Sequence, residues 1–150
     1  MIEIIFVIVV IGILAAVAIP KLASSRNDAS ASLCAHEIGQ LIHEIGNVYT
    51  ESGYVSFKDL TIRDISNVLT DVGLTKNGIF EGDDTKINST GVTYYCSGEA
   101  IVKLVGILDG TDYNLTVEDK SPTNPVALQV VEKLIDQNIL IVSGLRHYKL

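Results

Sequence analysis

The chain has 150 residues and a mass of 16.2 kDa, with 11 basic and 18 acidic side chains, a net charge of −7 and an isoelectric point near 4.8. That length gives one globular domain plus an N-terminal segment, and the acidic balance argues against a surface that binds nucleic acid over its whole extent. Hydrophobic residues make up 47%, but so many lie near the N-terminus that the remaining core is of ordinary size.

Residues 1–20, MIEIIFVIVVIGILAAVAIP, are apolar except for Glu3. As a helix they would be about 30 Å long, roughly the thickness of a bilayer core. Twelve positions between 4 and 19 are Ile, Leu, Val or Phe. Each favours insertion by about 0.3 to 0.6 kcal/mol, which outweighs the roughly 3 kcal/mol cost of a central acid. A carboxylate in such a segment is a functional residue by default, and its natural partner is a cation that water does not reach. A secretory signal peptide would account for the length and for Ala16-Val17-Ala18, but it needs a basic start where this chain has Glu3. A plain membrane anchor leaves Glu3 without a role. A buried core helix conflicts with an apolar surface on every side.

From residue 21 to about 53 the composition turns polar with a helical period. Cys34, Ile38, Leu41, Ile45 and Val48 fall at steps of four and three, on one face that needs a sheet to cover it. Gly53 follows the last periodic residues and predicts the helix end at Ser52-Gly53. The two parts form one helix of about 52 residues, near 78 Å, with only its second half covered. His36-Glu37 and His43-Glu44 look like metal ligands, but the histidines lie about 10 Å apart along the helix. A helical zinc pair uses a spacing of four, so a solvated face is the better reading.

Residues 57–70 carry Leu60, Ile62, Ile65 and Leu69 and predict a short amphipathic helix, followed by turns at Gly73 and Asn77-Gly78. Glu81-Gly82-Asp83-Asp84 and Asp109-Gly110-Thr111-Asp112 lack the spaced oxygens and closing glutamate of a calcium loop and read as solvated turns. Three alternating strands follow. They place Val92, Tyr94 and Cys96, then Ala100, Val102, Leu104 and Leu108, then Tyr113, Leu115 and Val117 on one face. Short connections make them an antiparallel meander. Asn124-Pro125 starts a helix carrying Ala127, Val130, Val131, Leu134 and Ile135, and residues 139–142 predict a last strand that runs on towards Tyr148. The fold class is α+β: a long N-terminal helix on a small antiparallel sheet of three to four strands, with short helices. Residues 1–20 form a hydrophobic segment and residues 21–150 a globular domain that includes the second half of the long helix.

The run EIIFVIVVIGILAAVAIPKL, from Glu3 through Gly12 and Pro20 to Leu22, closely resembles the N-terminus of type IV pilins and the related pseudopilins. About twenty consecutive positions match, with an acid near the start, a glycine mid-span and a proline at the end. The resemblance implies a prepilin peptidase that removes a basic leader and methylates the new N-terminus. The family's glutamate is usually the fifth mature residue, so this sequence is expected to lack the leader and two mature residues. By position, Glu3 is expected to pair with the N-terminal amine of a neighbouring subunit. The resemblance also implies that the section between Gly12 and Pro20 loses its helical form in filaments, in keeping with a glycine of low helix propensity and a proline that removes a donor.

Cys34 and Cys96 lie on the same predicted interface of a domain outside the cytoplasm, which favours a disulfide over two buried free thiols. Family members often close a C-terminal loop by disulfide, but no cysteine follows Cys96. Glycosylation sequons occur at Asn88 and at Asn114, the second with an acid two residues before it. Asn114 is expected to face outward. No catalytic, phosphate-binding, zinc or cofactor motif is visible, so an enzyme is not expected. The expected function is a structural subunit of a type IV pilus, serving adhesion, motility or DNA uptake. It would be a homopolymer, held in the bacterial inner membrane until the pilus assembly machinery moves it into an extracellular filament. The alternative is a pseudopilin of a type II secretion system, which would remain periplasmic.

Overall fold

The computed structural model describes residues 2–66, 68, 75–76, 79–80, 86–87, 91–109, 112–141 and 145–149. Helix α1 (Ile2–Phe57) spans 56 residues, and its stretch before Gly53 is about 77 Å long. Its second half carries the expected stripe. Ala31, Ala35, Ile38, Leu41 and Ile45 are buried, and Cys34, Ile42, Val48 and Tyr49 partly so.

At Gly53 the backbone leaves the helical region, with φ 66° and ψ 163°, a conformation that suits a residue without a β carbon. The long helix thus breaks where Ser52-Gly53 predicts its end, and a further helical turn follows as far as Phe57. The reason is packing: the buried Phe57 ring stands edge-on to Tyr49 at 5.5 Å and to Tyr113 at 5.2 Å.

The predicted helix over 57–70 shortens, among the described residues, to α2 (Ile62–Ile65), whose Ile62 and Ile65 are buried. It opens where the Thr61 amide and hydroxyl both donate to the Asp64 carboxylate, at 3.0 and 2.7 Å. It closes at Ser66, which is extended and donates its hydroxyl to Glu44 on α1. That cross-link to another element ends the helix earlier than the apolar spacing implies, and Leu69 lies outside the described residues. Strands β1 (Thr75–Lys76) and β2 (Ile79–Phe80) pair antiparallel. The turns predicted at Gly73 and Asn77-Gly78 and the loop at Glu81-Gly82-Asp83-Asp84 are also outside the described residues.

The main sheet is antiparallel, in the order β3 (Val92–Cys96), β4 (Glu99–Asp109), β5 (Asp112–Asp119) and β6 (Leu145–Lys149). The fold is therefore the expected α+β arrangement of a long helix, a four-stranded sheet and short helices. Val92, Tyr94, Cys96, Leu104, Leu115 and Val117 are buried, with Leu104 opposite both Val92 and Val117. Strict alternation fails at one point on β4. Tyr94 pairs with Val102 and Tyr95 with Ala100, leaving Ile101 as an extra residue. Such a bulge bends the strand, and Ile101 and Val102 are both buried.

Helix α3 (Pro125–Asp136) starts where the Asn124 side chain accepts from the Val126 amide at 2.9 Å. It buries Ala127, Val130 and Leu134 and packs against α1. Val131 and Ile135, placed by the periodicity on the same face, are half-buried. The last strand begins later than predicted. The amides of Ile139 and Leu140 both donate to the Leu134 carbonyl, at 2.8 and 3.1 Å, beyond an Asn138 with φ 61°. This apolar pair closes the end of α3 as a C-terminal cap, and among the described residues pairing with β5 starts at Leu145.

Candidate functional site

The first part of α1 has no cover. Apart from the half-buried Ala15, every residue from 2 to 29 is exposed, so the bare stretch runs past Pro20 and the domain's cover begins near Ala31. Fourteen large apolar side chains between residues 2 and 22 are exposed, Phe6 and Leu22 each by 69%. At about 1.5 to 3 kcal/mol for each such side chain fully buried, covering them is worth on the order of 20 kcal/mol. That is more than the roughly 5 to 15 kcal/mol net stability of a typical domain. The segment is long and apolar enough to cross a membrane.

Glu3, Gly12 and Pro20 all lie on this bare part and are strung along one rod, Glu3 about 25 Å from Pro20. Glu3 occupies the first turn, where a negative charge complements the helix dipole. A β carbon on Gly12 would meet no atom within 4 Å, so nothing within one chain requires a glycine there. Pro20 sits inside the helix without breaking it, and in the single chain the section between Gly12 and Pro20 is helical throughout.

Where the domain begins, Cys34 and Cys96 come to disulfide distance, with S–S 2.04 Å and Cα–Cα 6.2 Å. The link ties α1 to the tip of the β3–β4 hairpin, and a cavity of about 290 Å³ opens beside it. Glu37, one turn further along α1, accepts a hydrogen bond from the hydroxyl of the fully buried Tyr94. Burial, and then the hydrogen bond and charge of Glu37, push the Tyr94 phenol far above its ordinary range, so it stays a donor.

Asn114 is half-buried on β5, opposite Ile107 on one side and Lys149 on the other. The hydroxyl of its sequon is on Thr116, which is only 5% exposed, with Oγ1 3.1 Å from His147 Nδ1. Asn88 lies outside the described residues. His36 and His43 are exposed, and among the described residues no group of three His, Cys, Asp or Glu converges as a metal site.

Sequence reasoning missed the polar clamp made by Glu99. Its carboxylate accepts from the amides of Thr123 and Asn124, at 2.7 and 2.8 Å, and from the Thr123 hydroxyl at 2.9 Å. This joins the β3–β4 hairpin to the start of α3. The partners lie 24 and 25 residues away, too far for any local motif to reveal. No family model, curated protein or solved structure matches the chain.

Proposed function

We propose that the chain is a structural subunit of a type IV pilus, polymerising through α1 into an extracellular filament used for adhesion, motility or DNA uptake. One observation carries the reading: one long helix, unbroken as far as Ser52, has an apolar first part with no cover and a second part built into a folded domain. The bare half is suited to two water-free settings, the bilayer before assembly and a bundle of identical helices afterwards. In either setting an ionised carboxylate is costly unless a cation lies beside it. The resemblance of residues 3–22 to pilins assigns that cation to the N-terminal amine of a neighbouring subunit. The prepilin peptidase and assembly machinery are partners on the same ground.

The acidic domains then form the outer surface, each tied to its own helix through Cys34 and Cys96. The experiment is electron microscopy of sheared surface material at native expression, with Glu3→Ala beside the parent. Abundant fibres of this subunit are expected from the parent. The variant should stay in the membrane fraction and yield few or no ordered fibres. Normal fibre yield from Glu3→Ala would overturn the role given to Glu3, and absence of fibres from the parent would favour a periplasmic pseudopilin instead.

A further inference from the structure

A groove runs beside the covered half of α1, where residues 137–139 and β6 face the helix. Two adjoining hollows, of about 610 and 440 Å³, share Gly39, His43, Gln137 and Ile139. Along α1 the groove extends from His36 to Asn47, about 16 Å. It exists because α1 presents Gly39 and Gly46 on this side. A β carbon at Gly39 would make only ordinary contact, 3.5 Å from the end of Ile139. Packing therefore does not demand this glycine, although glycine is a poor helix former.

The lining departs from the character of the chain. The protein carries 18 acids, yet none of the described residues lining the groove is one; the polar groups are imidazole, carboxamide, phenol and guanidinium. The permanent charge is Arg146. Its Nη1 donates to Asn138 Oδ1 at 3.1 Å, and its guanidinium carbon lies 5.3 Å from the centre of the Tyr148 ring. Tyr148 is held in turn by donating to the Ile139 carbonyl at 2.9 Å. The guanidinium is thus pre-positioned, and among the described residues no carboxylate pairs with it. A guanidinium in that state matches an incoming carboxylate, which it can hold through two parallel hydrogen bonds. The exposed carboxamides of Asn47 and Gln137 line the same hollow, and each offers both a donor and an acceptor, the chemistry that hydroxyl groups require.

We propose that this groove binds an acidic saccharide, its carboxylate on Arg146 and its hydroxyls on Asn47, Gln137 and His43. Its extent of about 16 Å along α1 fits a short oligomer better than a single sugar. A peptide is the poorer fit, because the apolar side chains described in the lining are only Ile42 and Ile139, too few to anchor its side chains.

The test is calorimetric titration of the full-length protein in detergent micelles with trigalacturonic acid, maltotriose and triglutamate at one ionic strength. Saturable binding is expected for trigalacturonic acid alone. Affinity should fall at least tenfold in Arg146→Gln and in Asn47→Asp, and stay unchanged in Lys120→Gln, which lies outside the groove. Because Asn47 is exposed on α1, Asn47→Asp adds a repelling charge without touching the core, so it decides the matter even if Arg146→Gln fails to fold. Any of five results overturns the proposal: no saturable binding of trigalacturonic acid, equal binding of maltotriose, equal binding of triglutamate, an Asn47→Asp variant of unchanged affinity, or a folded Arg146→Gln variant of unchanged affinity.

Discussion

The phenol of Tyr113 occupies the space that a side chain at residue 106 would need: a β carbon on Gly106 would stand 1.7 Å from the Tyr113 hydroxyl oxygen and 2.4 Å from Cζ. The ring is also stacked on Tyr49, with centroids 4.9 Å apart. Its hydroxyl is buried and has no hydrogen-bond partner among the described residues, and burial pushes its pKa upward. The ring contacts therefore stabilise the core while the oxygen costs it. Tyr113→Phe should raise stability by about 1 kcal/mol, since a buried unsatisfied polar group costs roughly 1 to 3 kcal/mol. A higher urea midpoint with unchanged slope would show it. Gly106→Ala should lower stability by about 1 to 3 kcal/mol through overpacking. Tyr113→Phe should rescue that variant only in part, because the ring carbon remains.

Cys34 and Cys96 are 62 residues apart in sequence. Closing a loop of that length contributes about 4 kcal/mol by restricting the unfolded chain. Replacing both by alanine should lower the unfolding free energy by about that amount, read by denaturant titration. Adding reductant to the parent should have a similar effect, and adding it to the double variant should have none.

Glu99 gives a dependence on acid. The Asn124 amide, then the Thr123 hydroxyl and amide, hold its carboxyl below the ordinary value of 4.5. A carboxylate depressed on folding stabilises the native state fully above its unfolded pKa, and that contribution disappears as pH falls through the lower folded value. The stability gap between the parent and Glu99→Gln should therefore be constant above pH 4.5 and shrink below it. Protection of the Thr123 and Asn124 amides against hydrogen exchange, measured relative to their intrinsic rates at each pH, should fall over the same range in the parent alone.

The Asn114 sequon makes a different prediction. Transfer of a glycan needs access to the asparagine amide, yet Asn114 is half-buried within a paired strand and Thr116 beside it is buried against His147. An oligosaccharyltransferase reaction on the folded chain should leave Asn114 unmodified, while the reduced, unfolded chain should be a substrate. Intact-mass and peptide mass spectrometry would distinguish the two.

Much of this architecture is legible from neighbours in the chain. The unbroken apolar run around Glu3 predicts a helix that water cannot comfortably surround. The spacing of Ile38, Leu41 and Ile45 predicts the covered stripe, and Asn124-Pro125 predicts the start of α3, because helix period and capping chemistry act over only a few residues. Features made by distant partners are not legible in this way. Ile101 is buried because β4 bulges against β3, and Phe57 prolongs α1 because Tyr49 and Tyr113 receive it. Ile139 and Leu140 cap α3 instead of starting β6, because Asn138 turns their amides back to Leu134.

The same division applies to function. Residues 1–20 by themselves determined that this protein has an apolar rod with one acid near its start, since hydropathy and helical rise depend on composition and length alone. Only the tertiary structure decided that this rod stays bare as far as Ala31 while one face of the rest is covered, that Glu99 reaches Thr123, and that Arg146 faces a groove of histidines and carboxamides. Those are contacts between residues far apart in the chain, and folding brings them together only when the elements pack.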